Sequence, residues 1–205
     1  MPLIPLTPEE YQKYAPEPPL WQSLEWKTYQ ASLGRKVRLY GLKKASGDVS
    51  CTALIVIDTT TFGLSVWDIP RGPLGGSEEA RTELLKGLVE EAMKEKCMAL
   101  YFSPSIKLSA ISYQLSARHE QPEATIILDL TLSDKDLLKQ MKQKGRYNIS
   151  VAQKSGVTVE QSDDIDSFYA LLRKTGQRNQ FGLQPKGHYE KFLQKLPGSF
   201  LDRKS

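Results

Sequence analysis

The part of the sequence that is most informative about the fold is a glycine-rich stretch, Ile69-Pro70-Arg71-Gly72-Pro73-Leu74-Gly75-Gly76-Ser77. Its glycines and prolines predict a loop, and its final serine is a favourable N-cap for the helix that follows. Glycines allow backbone N–H groups to approach an anion, and the N-terminus of a helix adds positive potential at the same place. The stretch therefore predicts a phosphate-facing loop that leads into a long helix.

Two helices and three strands are predicted before this loop. Thr7 followed by Pro8 indicates the start of a short helix, and Ser23 caps a second helix that Gly34 ends. After Gly34 the apolar residues change from helical spacing to the spacing of strands. The predicted strands cover residues 35–43, 49–58 and 63–69, and the short turns between them predict an antiparallel meander.

A long helix, a buried strand and a further helix are predicted after the loop. The apolar residues at helical spacing, which predict the buried face of the long helix, are Leu84, Leu85, Leu88, Val89, Ala92 and Met93. The strand is predicted at residues 98–102 and the further helix at residues 106–118. The resulting order of elements resembles that of the acetyltransferase (GNAT) fold, which is an α/β fold.

After this helix the sequence predicts a second series of alternating strands and helices. Residues 125–130 predict a strand, and a helix is predicted from Ser133 to Lys154, closed by Gly156. The further predictions are a strand at 157–161, helices at 165–178 and 188–196, and the start of a strand at 199–201. These segments are too few to bury a full sheet. We therefore predict one complete GNAT-like domain, residues 1–120, and a truncated second tandem domain, residues 121–205.

The composition is that of an ordinary globular protein, with 40% hydrophobic and 25% charged residues. The longest apolar runs are too short to cross a membrane, and the first residues do not resemble a signal peptide. The two cysteines, Cys51 and Cys97, lie in apolar stretches, which favours a reducing compartment and predicts a cytoplasmic protein. Cysteines and histidines show no metal-ligand spacing, so we expect no structural zinc site.

The positive charge is concentrated in the last third of the chain. Residues 135–205 contain 14 Lys or Arg and 7 Asp or Glu, whereas residues 1–134 contain 14 and 17. A basic segment of this kind favours contact with phosphates or another polyanion. The alternative is a solvated, lysine-rich helix surface without a partner.

Five segments, in order along the chain, resemble the FemABX family. They are Trp21-Gln22-Ser23-Leu24-Glu25-Trp26, Ile69-Pro70-Arg71-Gly72-Pro73-Leu74, Leu128-Asp129-Leu130, Arg146-Tyr147-Asn148-Ile149 with Gly156-Val157, and Phe168-Tyr169 with Leu171-Leu172, Thr175 and Arg178. The resemblance implies a pair of acetyltransferase-like domains that use no metal and no bound organic cofactor. It also implies an aminoacyltransferase that moves an amino acid from aminoacyl-tRNA to the stem-peptide amine of a peptidoglycan precursor, and so builds cell-wall bridges.

The resemblance implies a UDP-linked or lipid-linked muropeptide as acceptor, and peripheral membrane contact through a lipid-linked substrate. Because the tRNA ester is already activated, the protein would mainly position two substrates and stabilise the oxyanion. No residue of the sequence can be named as the catalytic base, and we find no Ser-His-Asp arrangement.

Five residues are predicted to bind substrate. Arg71 lies in the glycine-rich loop, and Arg146, Tyr147 and Lys154 lie in the basic segment. Lys139, Lys142 and Arg146 are expected on one helical stripe that follows phosphates, either of the muropeptide or of the tRNA. The resemblance favours muropeptide phosphates for Arg146 and Lys154.

The fifth candidate, Lys27, lies one turn after Ser23 on the second helix. Family members often carry a phosphate-binding lysine slightly further along, where this sequence has Gln30. Some members also carry an acid where this sequence has Ser103. Both departures weaken the transfer of roles to these positions.

Two other functions are weighed against the aminoacyltransferase. A coenzyme A-dependent small-molecule N-acyltransferase would have glycines three and five positions after the basic residue of the loop. After Arg71 they fall at four and five, which argues against coenzyme A. A non-catalytic module that binds muropeptide or tRNA is the other alternative, if the chain ends at Ser205.

Overall fold

A computed structural model describes residues 1–104, 113–114, 126, 128–196, 198 and 201–204. The chain divides into two compact units, Met1–Gln121 with Lys191–Pro197, and Pro122–Glu190 with Gly198–Ser205. The predicted helix at residues 106–118 lies outside the described residues, apart from Tyr113 and Gln114. The interpretation of the two units as tandem domains stays a prediction.

The first unit contains a mixed sheet with helices on both faces. Its elements are β1 (Leu3–Pro5), α1 (Pro8–Tyr14), a 3-10 turn (Leu20–Gln22), α2 (Leu24–Ser32), β2 (Lys36–Lys43), β3 (Val49–Thr59), β4 (Ser65–Ile69), β5 (Leu74–Gly75), α3 (Glu78–Lys94) and β6 (Cys97–Phe102). The strand order is β1-β2-β3-β4-β6, and β5 pairs with β3. Only the β4–β6 pair is parallel among these strands.

The predicted α/β fold with GNAT order is therefore confirmed. The N-caps Thr7, Ser23 and Ser77 all accept a hydrogen bond from the first turn of their helices, as the sequence predicts. The short strands β1 and β5 were not predicted, because two or three residues carry too little alternation to be recognised.

Strand β3 is buried on both faces, since alternate residues enter two separate clusters. Leu54 and Val56 pack with α1 and its flanking residues, whereas Ile55 and Ile57 pack with α3. Burial of apolar area stabilises a fold by about 25 cal/mol per Å². The side chains buried on the two faces of β3 are therefore the main stabilising contribution to the first unit.

The predicted face of α3 is only partly correct. Leu84, Leu85, Leu88 and Ala92 are buried, but the side chain of Met93 is 74% exposed. Val89 is also exposed, because the buried stripe follows Ala80, Leu84 and Leu88 instead. Strand β6 was expected to be buried, yet its residues are half-buried or exposed, since among the described strands it pairs on one side only, with β4.

The second unit is built from helices and one two-stranded sheet. Its elements are α4 (Asp134–Gln140), α5 (Gln143–Lys154), β7 (Val159–Ser162), α6 (Ile165–Asn179), α7 (Lys186–Lys195), whose last residues belong to the first unit, and β8 (Leu201–Lys204). Strands β7 and β8 are antiparallel. Gly156 follows α5 with a φ of 74°, which confirms the predicted end of that helix.

Two predictions for this unit are wrong. The single helix predicted from Ser133 to Lys154 is broken, because Met141 and Lys142 both have a ψ of 148°. The stripe of Lys139, Lys142 and Arg146 therefore does not exist on one helix. In the strand predicted at 125–130, the described residues Ile126 and 128–130 are not in a strand and their large apolar side chains are exposed.

A buried amide, that of Gln22, holds the first unit together at the centre of its sheet. Its Nε2 donates to the carbonyl oxygens of Leu54 (3.1 Å) and Pro70 (2.7 Å), and its Oε1 accepts from the Leu54 N–H (2.8 Å). Tyr11 donates its hydroxyl to the Gln22 carbonyl at 2.9 Å. Burial raises the pKa of Tyr11, so that this hydroxyl stays a donor.

The position of Leu54 explains why this amide is needed. Along β3, Val56 pairs with β4 and Thr52 pairs with β5, so Leu54 lies between the two partner strands. Its N–H and C=O would be buried without partners, at a cost of about 1–3 kcal/mol each. The Gln22 side chain takes the place of the missing strand.

We predict that Gln22→Leu destabilises the first unit by about 3–5 kcal/mol, because it leaves several buried polar groups unpaired. Urea denaturation followed by tryptophan fluorescence measures the change. Gln12→Leu is the matched control, since Gln12 is an exposed residue of α1, and it should cost less than about 0.5 kcal/mol. Equal effects of the two substitutions would contradict this account.

The two cysteines should differ in reactivity. Cys51 is 2% exposed, and burial raises its pKa to about 12, whereas Cys97 is half-buried. Because the thiolate is the reactive form, iodoacetamide at pH 8 should modify Cys97 but not Cys51 in the folded protein. Peptide mass spectrometry detects the labels, and both cysteines should react in 6 M urea.

The same pKa change makes a prediction for stability. The pKa of Cys51 is higher in the folded protein than the value of about 8.5 in the unfolded chain. The contribution of its protonated thiol to the free energy of unfolding is therefore complete below about pH 8.5. Stability should decrease as the pH rises above about 8.5, and Cys51→Ala should remove this part of the pH dependence. Rapid labelling of native Cys51 would refute both predictions.

Candidate functional site

Backbone conformation and close packing restrict the path of the glycine-rich loop between β4 and α3. Arg71, Gly75 and Gly76 have φ values of 55°, 72° and 62°, in the left-handed region. A Cβ added to Gly76 would lie 3.0 Å from the Ser50 carbonyl oxygen, so only glycine fits there. Gly72 packs equally closely on the buried Gln22 side chain.

The main chain of the loop is held from both sides. The Arg71 N–H donates to Ser103 Oγ at 3.2 Å, and the Ser103 N–H donates to the Ile69 carbonyl at 3.2 Å. Arg81 of α3 donates from Nε to the Gly75 carbonyl (2.6 Å) and from Nη2 to the Gly76 carbonyl (3.0 Å). These bonds fix the path of the loop before any ligand binds.

The side chain of Arg71 lies over an aromatic ring. Its guanidinium carbon is 5.8 Å from the centroid of the Trp21 ring, within the range of a cation–π interaction. Both residues are half-buried. The arrangement orients a planar cation that is able to bind a phosphate or carboxylate through two parallel hydrogen bonds.

The start of α3 is less suited to phosphate than the sequence suggests. Ser77 accepts from the Ala80 N–H at 3.3 Å, and Glu78 and Glu79 follow in the first turn. A hydrogen bond from Ser77 lowers the pKa of Glu79, which is therefore ionised at neutral pH. Two carboxylates already interact with this end of the helix and repel a bound phosphate.

The two strands next to the loop, β4 and β6, are paired up to their last residues. The β4–β6 ladder continues to its last pair, Ile69 with Phe102, and Ser103 then bonds to both Ile69 and Arg71. The edge of β4 that faces β6 is therefore paired to the end of the strand.

The structure places Lys27 on α2, in the same unit as Arg71. Lys27 is half-buried, and Gln30, one turn later, is 3% exposed. The Gln30 Oε1 accepts from the Arg35 guanidinium at 2.8 Å. The position at which the resemblance implies a phosphate-binding lysine thus holds a buried amide in this chain.

Arg146, Tyr147 and Lys154 are all on α5 in the second unit. The Arg146 guanidinium donates to the carbonyls of Leu138 (3.5 Å) and Met141, at the end of α4. Arg146, a residue of α5, therefore caps the C-terminal end of α4. Tyr147 is 67% exposed, and Lys154 lies in the last turn of α5.

Sequence reasoning found Arg71 but missed the residues that hold its loop. Gln22 is separated from Pro70 by 48 positions, and Ser103 is separated from Arg71 by 32. Such contacts depend on the sheet and have no local spacing to detect. Within the residues that the structure describes, no group of three or more His, Cys, Asp or Glu could hold a metal ion, and no helix is long and apolar enough to span a membrane.

The sequence and the fold of this chain are similar to those of known proteins. The family model described as FemAB family matches residues 6–133 and 111–200. A Staphylococcus aureus protein, lipid II:glycine glycyltransferase, is 27% identical over 139 residues, which cover 58% of this chain and 33% of that protein. The crystal structure of FemX superposes with a TM-score of 0.71 and 23% identity, covering 96% of this chain and 55% of that one. The chain thus spans a third to about half of the length of these proteins.

We predict that Gly76→Ala destabilises the first unit by about 2 kcal/mol or more, because it adds a contact with Ser50 to backbone strain. Gly63→Ala is the control, since Gly63 has a φ of 75° but open space around it. That control should cost only about 1 kcal/mol. Thermal denaturation of both variants compares the two, and equal losses would show that the loop is not tightly packed.

Proposed function

The chain belongs to the FemAB family, and from this premise we propose that it is part of an aminoacyltransferase of peptidoglycan bridge formation. The match to the family over residues 6–200 carries the proposal. The name of the S. aureus relative, a lipid II:glycine glycyltransferase, indicates a lipid-linked peptidoglycan precursor as the acceptor class. We propose aminoacyl-tRNA as donor and the stem-peptide amine of a lipid-linked or UDP-linked muropeptide as acceptor.

The reaction is an acyl transfer from an ester to an amine. The amine nitrogen attacks the ester carbonyl, a C–N bond forms and the ester C–O bond breaks. The amine loses a proton, and the released tRNA hydroxyl gains one. Since the ester is already activated, the contribution of the protein is to align the two substrates and stabilise the oxyanion.

Five residues are proposed to bind the substrates. We assign Arg71, fixed over Trp21, to a phosphate or carboxylate of the acceptor, with Lys27 as a second contact on α2. Arg146, Tyr147 and Lys154 supply contacts from the second unit. Arg146 also caps α4, so its substitution should affect folding as well as binding. A cytoplasmic place of action stays a prediction.

A coenzyme A-dependent acyltransferase is disfavoured by three observations. The glycines after Arg71 are out of register, Glu78 and Glu79 occupy the helix terminus, and the end of β4 is already paired. A non-catalytic binding module is distinguished from the enzyme by experiment: it would bind tRNA or muropeptide without turnover.

The test is transfer of a labelled amino acid from charged tRNA to a lipid-linked and a UDP-linked muropeptide, with the full-length gene product. Arg71→Ala should lower kcat/KM about 10- to 100-fold, mainly through the KM for the acceptor, because charge-assisted hydrogen bonds are lost. Lys44→Gln, an exposed change in the β2–β3 turn, is the control and should have no effect. If the protein transfers no amino acid to the lipid-linked muropeptide and none to the UDP-linked muropeptide, the proposed function is refuted.

A further inference from the structure

The outer face of α5 combines two lysines with an exposed tyrosine. Lys144, Tyr147, Val151 and Lys154 are spaced by three, four and three residues, so they lie along one side of the helix. Ile149 and Ala152, on the opposite side, are the half-buried residues of this helix together with Gly145. We refer to the first four residues as the α5 face.

The side chains of the α5 face are available to a partner. Tyr147 is 67% exposed and Val151 is 42% exposed. Within the described part of the chain, neither lysine forms an ion pair, and the stretch from Lys142 to Lys154 contains no Asp or Glu. By contrast, Lys139 of α4 is neutralised by Asp136 at 2.9 Å. The positive potential of this helix is therefore concentrated on an uncompensated surface.

We propose that the α5 face docks the sugar–phosphate backbone of RNA, with Tyr147 stacking on an unpaired base. The inference rests on the proposed function, which supplies tRNA as the partner. The two lysines are about 15 Å apart along the helix axis, since ten residues rise by about 1.5 Å each. Two lysines this far apart contact different phosphates of the strand, not a single phosphate group.

Charge and shape favour RNA over a membrane surface. A helix that lies in a bilayer interface needs a broad apolar face, and the α5 face offers only Tyr147 and Val151. An exposed aromatic ring between two cations is the arrangement found where proteins bind unpaired bases beside their phosphates. The common exposure of Lys144, Tyr147 and Lys154 also favours a long polyanion over the single pyrophosphate of a muropeptide.

The experiment measures binding of uncharged tRNA to the full chain by fluorescence anisotropy, between 50 and 300 mM salt. Lys144→Gln/Lys154→Gln should reduce the slope of log K against log salt by about 1.5, since each phosphate contact contributes about 0.7–0.9. Tyr147→Ala should weaken binding about tenfold, whereas Tyr147→Phe, which keeps the ring, should bind like the wild type. Circular dichroism confirms that each variant is folded.

The matched control is Lys44→Gln/Lys86→Gln, which removes the same charge from exposed positions of the first unit. It should leave the salt slope unchanged. An unaltered slope in the Lys144/Lys154 variant would overturn the proposal. Binding of the wild type to vesicles with 30% anionic phospholipid, but not to tRNA, would also overturn it.

The outcome is separable from that of the proposed function. Normal transfer with an unchanged KM for aminoacyl-tRNA in the Lys144/Lys154 variant would overturn the docking surface alone. Salt-dependent tRNA binding through these lysines without any amino-acid transfer would support the surface and overturn the enzyme.

Discussion

The first unit depends on a buried amide at a place where one edge of its central strand has no neighbouring strand, although β2 pairs with the other edge. Strand β3 passes from the end of β4 to the start of β5, and Leu54 lies in the interval. Gln22 satisfies both main-chain groups of Leu54 and also bonds to Pro70, where the glycine-rich loop begins. The same side chain therefore completes the sheet and positions the loop that carries Arg71.

The sequence predicted those parts of the fold that are encoded locally. Thr7, Ser23, Ser77 and Ser133 mark helix starts because a cap acts within three residues of itself. The break after α4 escaped detection, because the interval between Gln140 and Gln143 contains neither glycine nor proline. Its carbonyls are instead satisfied by Arg146 from the following helix, a contact that no spacing rule describes.

For the candidate site, sequence identified the loop and its arginine but not what the loop does. Glycines at a helix start suggested a phosphate cradle. In the structure Arg81 binds the loop carbonyls, and the acidic residues Glu78 and Glu79 occupy the first turn of the helix. The cation presented by the loop is thus the Arg71 side chain over Trp21, while the backbone serves to hold it. Only tertiary contacts separate these two roles.

The bonds from Ser103 and Arg81 to the loop backbone have a consequence for divergence within such a family. Residues outside the loop fix the path of its main chain, so this path does not depend on the side chain of Arg71. A substitution at Arg71 then changes the charge that the loop presents without moving its backbone. Under the role proposed for Arg71, single substitutions at this position would change the ligand preference of the loop, whereas a side chain at Gly76 would come close to the Ser50 carbonyl oxygen.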